Sequence, residues 1–92
     1  MSDVRGVAPR DVLRDPRAWL EANARAVAHV ARRVARSRGL PADASRALES
    51  AVRARLAEDD YEVLRRYRGE ADLRTYLAVV ASRLLLHQRL ES

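Results

Sequence analysis

Only six residues in this chain are strong breakers of regular structure: Gly6, Gly39, Gly69, Pro9, Pro16 and Pro41. The stretches between them, 17–38, 42–68 and 70–92, run without interruption. A β-hairpin protein of this size needs a tight turn roughly every 8–12 residues, with Gly, Asn or Asp at its centre. This chain has too few turn formers for that. Its apolar residues agree: they make up 48% of the sequence, but aromatics are 4% and Phe is absent. Ala, Val and Leu must therefore build the core, which suits close-packed helices better than sheets. The expected fold is all-α, a bundle of three long helices plus one or two short ones. One domain of 92 residues can hold a real core. It should span residues 9–92, with residues 1–8 a flexible N-terminus.

Local signals place the helices. Pro9 to Arg14 could form a short helical turn, and Asp15-Pro16 is a strong helix start, the carboxylate capping and the proline at the first helical position. The first long helix should run to Arg38 and stop at Gly39, with Pro41 just beyond. Trp19, Asn23, Val27, Val30 and Val34 form its core stripe, flanked by Ala26 and Ala31. Trp19 reads as a packing anchor there. A second helix from Pro41–Asp43 to about Glu58 carries Ala44, Leu48, Ala51, Val52 and Leu56 at helical spacing. The acidic run Glu58, Asp59, Asp60 and Glu62 marks a solvated junction. Tyr61, Leu64 and Tyr67 then recur as in a short helix. A third long helix from Asp72 to about Leu90 has Leu73, Leu77, Val80 and Leu84 as its main stripe. Val79, Leu86 and Leu90 point elsewhere, and Leu85 and Leu86 are apolar surplus.

The chemistry available is narrow. Without cysteine there is no disulfide, thiol catalysis or Cys-based zinc site. His29 and His87 are isolated, the glycines form no phosphate loop, and no serine sits in a nucleophile elbow. A small bundle has little room for a substrate cavity of several hundred Å3. No enzyme, metal, cofactor or small-molecule substrate is expected. No apolar run approaches the ~18 residues of a membrane span, so a cytoplasmic location is expected. Charge is more telling. All 18 basic residues are Arg and the net charge is +5. Between Pro16 and Arg38, Arg17, Arg25, Arg32, Arg33, Arg36 and Arg38 face a single acid, Glu21, and this segment holds the whole excess. Such a cluster is either a solvated helix face or a surface for phosphate or acidic protein.

Residues 67–90 carry a further pattern: an Arg-Gly turn at Arg68-Gly69, then Leu73-Arg74-Thr75-Tyr76-Leu77, then an Ala- and Arg-containing apolar helix with Ala81. This resembles the loop and promoter-reading helix in region 2 of extracytoplasmic-function sigma factors. The resemblance extends over about residues 16–90 through the order of elements. It implies a module of transcription initiation that binds the clamp of the RNA polymerase core and captures single-stranded promoter DNA, without catalysis. On that reading the nucleic-acid residues are Tyr67 and Tyr76 as stacking partners, with Arg66, Arg68, Arg74, Arg83 and Arg89 as cationic rails. Packing in the core beside Leu73 and Leu77 is an equal alternative for Tyr76, and packing is the favoured role for Tyr67.

The second helix departs from the family. Where sigma factors show Asp-Leu-x-Gln-(Asp or Glu)-x-Phe, this chain has Arg46, Ala47, Glu49, Ser50 and Val52. Arg83, His87 and Leu90 replace the Asn, Asp and Arg common further along the last helix. The alternative is thus a stand-alone, sigma-like interaction module whose partner is another protein or a second copy, using Arg46, Glu49, Ser50 and Arg53.

Overall fold

Asp15 and Pro16 act as their order suggests. In the computed structural model the Asp15 Oδ1 accepts from the Ala18 amide at 3.1 Å, and Pro16 opens the helix. The structure describes the backbone of residues 9–91 and the side chains of 10–87. The expectation of a flexible segment at 1–8 lies outside these residues. Five helices follow in order: α1 (Pro9–Arg14), α2 (Pro16–Ala22), α3 (Ala24–Ser37), α4 (Ala42–Arg65) and α5 (Leu73–Glu91). The described residues contain no strand, and no helix among them is long and apolar enough to cross a membrane.

The single helix expected from Pro16 to Arg38 is broken in two at Asn23, whose φ and ψ are −112° and 17°. Its side-chain Nδ2 donates to the Trp19 carbonyl at 2.8 Å, and its backbone N–H donates to the same oxygen at 3.0 Å. A short amide side chain competing for a helical carbonyl bends the chain in this way. The far end of α3 closes as Gly39 requires. Leu40 N–H reaches the Ala35 carbonyl and Gly39 N–H the Arg36 carbonyl, each at 3.0 Å, with Gly39 at φ 71°. This is the Schellman geometry, and Leu40 folds back onto the core as that motif favours.

Within α4 the backbone reverses hand. Glu58 is extended, and Asp59, Asp60 and Tyr61 have φ of 53°, 57° and 60°. The acidic junction expected near Glu58 is therefore a left-handed turn joining the body of α4 to its last right-handed turn. Left-handed backbone is unfavourable for each L-residue by roughly 1–2 kcal/mol, somewhat less for Asp. Asp60→Gly should therefore be more stable than Asp60→Ala by about 1 kcal/mol in a urea melt. A right-handed helix running straight through would give the opposite sign, since glycine inside a helix costs about 1 kcal/mol against alanine. The Asp60 carboxylate lies 3.8 Å from Arg65 but is 87% exposed, so the lost ion pair has little weight, and the alanine reference removes it in any case.

The core gathers where α3, α4 and α5 meet, each of them touching the other two. Trp19, Val27, Val30, Ala31 and Val34 are buried from the first half, and Leu48, Val52, Leu56 and Leu64 from α4. On α5 the buried row is Leu73, Leu77, Ala81 and Leu85. This corrects the expected stripe, because Val80 and Leu84 are only partly buried and Leu85, expected as surplus, is core. A helix held between two neighbours buries a broad strip, and alanine at its centre lets those neighbours come close. Val79 and Leu86 do face outward, at 44% and 58% exposure. The Leu90 side chain lies outside the described residues.

Candidate nucleic-acid interface

The turn between α4 and α5 is held by its two tyrosines. Tyr67 is 4% exposed, and its hydroxyl donates to the Ala71 carbonyl at 2.9 Å. The Tyr76 hydroxyl donates to the Val63 carbonyl at 2.6 Å, tying α5 to the last turn of α4. The two rings meet at a centroid distance of 5.3 Å and a tilt of 52°, a favourable aromatic contact. Asp72 completes the turn by capping α5, its Oδ1 accepting from the Thr75 amide at 2.8 Å. In this arrangement Tyr67 offers no open ring face, so the expectation of a stacking platform there is corrected to a packing role. Tyr76 is half-buried and keeps an accessible part. Burial pushes its phenol above the ordinary value, while the charges of Arg66, Arg83 and Arg55 pull the other way.

Around Tyr76 two recesses open side by side. One of about 180 Å3 is bounded by Arg66, Tyr67, Arg68, Glu70, Ala71 and Tyr76, so one carboxylate stands among its cations. The other, about 370 Å3, has Val63, Val80 and Leu84 behind and Arg55, Arg66 and Arg83 at its edge. Arg66 and Tyr76 belong to both. The bundle thus has more concave room than its size suggests, though as grooves between helices. Three expected rails, Arg66, Arg68 and Arg83, are brought together here. Arg74 is not: residues 74 and 76 are about 200° apart on a helix, and Arg74 lies with Arg33 in a groove on the α3 side. The Arg89 side chain lies outside the described residues.

Arg55 is the residue that sequence reasoning missed. It reaches the Tyr76 recess from α4 while pairing with Glu58 at 3.1 Å and Asp59 at 4.0 Å. Those acids stand three and four residues beyond Arg55, the ordinary helical spacing for an ion pair, so the pairing is legible in the sequence. That Arg55 borders the Tyr76 recess is not, because it depends on how α4 and α5 pack. Arg66 is paired as well, with Glu62. No ion pair engages Arg68 or Arg83 among the described residues, so these two offer uncommitted charge.

The expected partner face on α4 is partly committed. Arg46, Ser50 and Arg53 are exposed, but Glu49 is half-buried and bonded across to Arg32 of α3 at 3.6 Å. That glutamate contributes to holding α3 on α4. Among the described residues no three His, Cys, Asp or Glu groups converge as a metal site would require. Comparison with protein families, with curated proteins and with solved structures finds no match to this chain.

Proposed function

We propose that this chain is a sigma-factor region 2-like module of transcription initiation, which captures single-stranded promoter DNA at the α4–α5 turn, binds the RNA polymerase core, and carries out no catalysis. The observation that supports this reading best is the gathering of Arg66, Arg68 and Arg83 around the accessible part of Tyr76, with apolar recesses behind. Unstacked bases need an aromatic or apolar surface, and their phosphates need cations nearby; this corner offers both. The Arg68-Gly69 turn and the Leu73–Leu77 motif that carry the resemblance frame the same corner. Arg66→Gln, Arg68→Gln and Arg83→Gln together should weaken binding of a labelled single strand and flatten its salt dependence by about 2 log units per log unit of salt, at roughly 0.7 per lost phosphate contact. Fluorescence anisotropy checks this. A parent chain that fails to bind single strands even at low salt would remove the proposal.

A second reading, a sigma-like protein-interaction module, is favoured by the outward-facing Val79 and Leu86 and by the exposed Arg46 and Arg53. Under it, Arg46→Glu with Arg53→Glu would break a complex that the three glutamine changes leave intact.

A further inference from the structure

We propose that the groove between α3 and α5 is a second nucleic-acid site, separate from the α4–α5 turn, which holds the phosphate backbone of a duplex. From Ala22 to Ala42 the sequence contains no Asp or Glu, and from Leu73 to Leu90 it contains none either. Both walls of this groove are therefore free of acid until Glu91. Arg17, Arg32, Arg55, Arg65 and Arg66 each reach a carboxylate. Arg33, Arg38 and Arg74 reach none among the described residues. Arg25, Arg36, Arg46, Arg53 and Arg68 are unpaired as well among the described residues. This trough differs in that Arg33, Arg38 and Arg74 line it between two acid-free helix walls, which gives it a positive potential.

The shape suits a sugar-phosphate backbone. A recess of about 310 Å3 lies between Arg33 and Ser37 on one wall and Arg74 and Thr75 on the other. It continues along α5 as a second recess of about 330 Å3, lined by Arg38, Ser82 and Arg83 and also by the exposed Val79 and Leu86. Thr75 and Ala78 line both, which makes them one trough. Ala78, Thr75 and Ser82 are small enough for close approach, and the hydroxyls supply further polar contacts to phosphate oxygens. The trough has no aromatic lining: Trp19 and Tyr67 are buried, Tyr61 packs on the core, and Tyr76 serves the other site. Unstacked bases would find no platform here, whereas a stacked duplex presents outward the charge that these arginines can read.

The test uses the full chain and a fluorescent duplex of about 20 base pairs, titrated at salt concentrations from about 50 to 200 mM. Changing Arg33, Arg38 and Arg74 together to Gln should flatten the slope of log K against log salt by about 2.7, at roughly 0.9 per phosphate contact, and leave single-strand binding in place. Arg66→Gln with Arg68→Gln, which leaves intact the Arg83 that borders both sites, should do the reverse, so failure of one site is distinguishable from failure of the other. Amide chemical shifts give a second measurement on the unaltered chain: duplex should move Ser37, Arg38, Thr75 and Ala78 more than Arg68 and Ala71. An unchanged slope, shifts confined to the α4–α5 turn, or displacement of the duplex by an equal charge of polyglutamate would each overturn the proposal.

Discussion

Leu77→Ala lowers the stability of the fold by about 3–5 kcal/mol, whereas Leu86→Ala, on the same helix, changes it by less than about 0.5 kcal/mol. Leu77 is fully buried and lies in the row of Leu73, Ala81 and Leu85, while Leu86 is 58% exposed. Removing three carbons between α3, α4 and α5 loses their transfer from water and leaves a space that three packed helices cannot close. A domain of 92 residues has roughly 5–14 kcal/mol in total, so this one change removes a large share of it. In urea the midpoint should fall by about 1.5–3 M with little change in slope. The same helix offers a finer check, since Leu85 is 6% exposed and Leu84 only partly buried. Leu85→Ala should therefore destabilise more than Leu84→Ala. The opposite order, or a Leu86→Ala variant that unfolds as readily as Leu77→Ala, would mean that α5 presents another face to the core.

That comparison also marks where sequence reasoning stopped. Helical spacing located α5, its start and two of its four buried positions, because Leu73 and Leu77 fit any apolar stripe drawn through this segment. Beyond Leu77 the apolar residues are contiguous enough to support two stripes, and the neighbours on either side decide between them. Local capping was more legible. Asp15-Pro16 and Gly39-Leu40-Pro41 each carry their own geometry in side-chain oxygen, fixed φ or left-handed φ, and they behave as their chemistry requires. Asn23 was misjudged for the complementary reason: it was counted by its place on the stripe, while its amide was free to take the Trp19 carbonyl.

At the site, composition located the charge but not its partners. The excess between Pro16 and Arg38 was visible by counting. Which of those arginines would face α5, and which would be answered from α4, depends on how the helices sit together. Arg32 is bound to Glu49, while Arg33, the next residue, is left to the trough. Arg66, Arg68 and Arg83 line the two recesses beside Tyr76, and Arg74 goes elsewhere because helical geometry turns it away from Tyr76.

Tyr67 is the residue at which the sequence left two roles open, and its substitution should separate them. Tyr67→Phe should cost about 1 kcal/mol, because the Ala71 carbonyl loses its donor while the ring and its contact with Tyr76 remain. Tyr67→Ala should cost about 3–5 kcal/mol, since it also empties a position that is 4% exposed. A base-stacking tyrosine behaves differently: its removal takes roughly 1–3 kcal/mol from single-strand binding. Tyr67→Leu, which fills much of the space without a π-face, distinguishes the two when affinity is measured at a temperature where circular dichroism shows the variant folded. Stability should fall by about 2–3 kcal/mol, with single-strand affinity within about twofold of the parent chain. A tenfold loss of affinity in the folded variant would mean that Tyr67 leaves its place against Tyr76 to meet a base, and that the α4–α5 turn rearranges when nucleic acid binds.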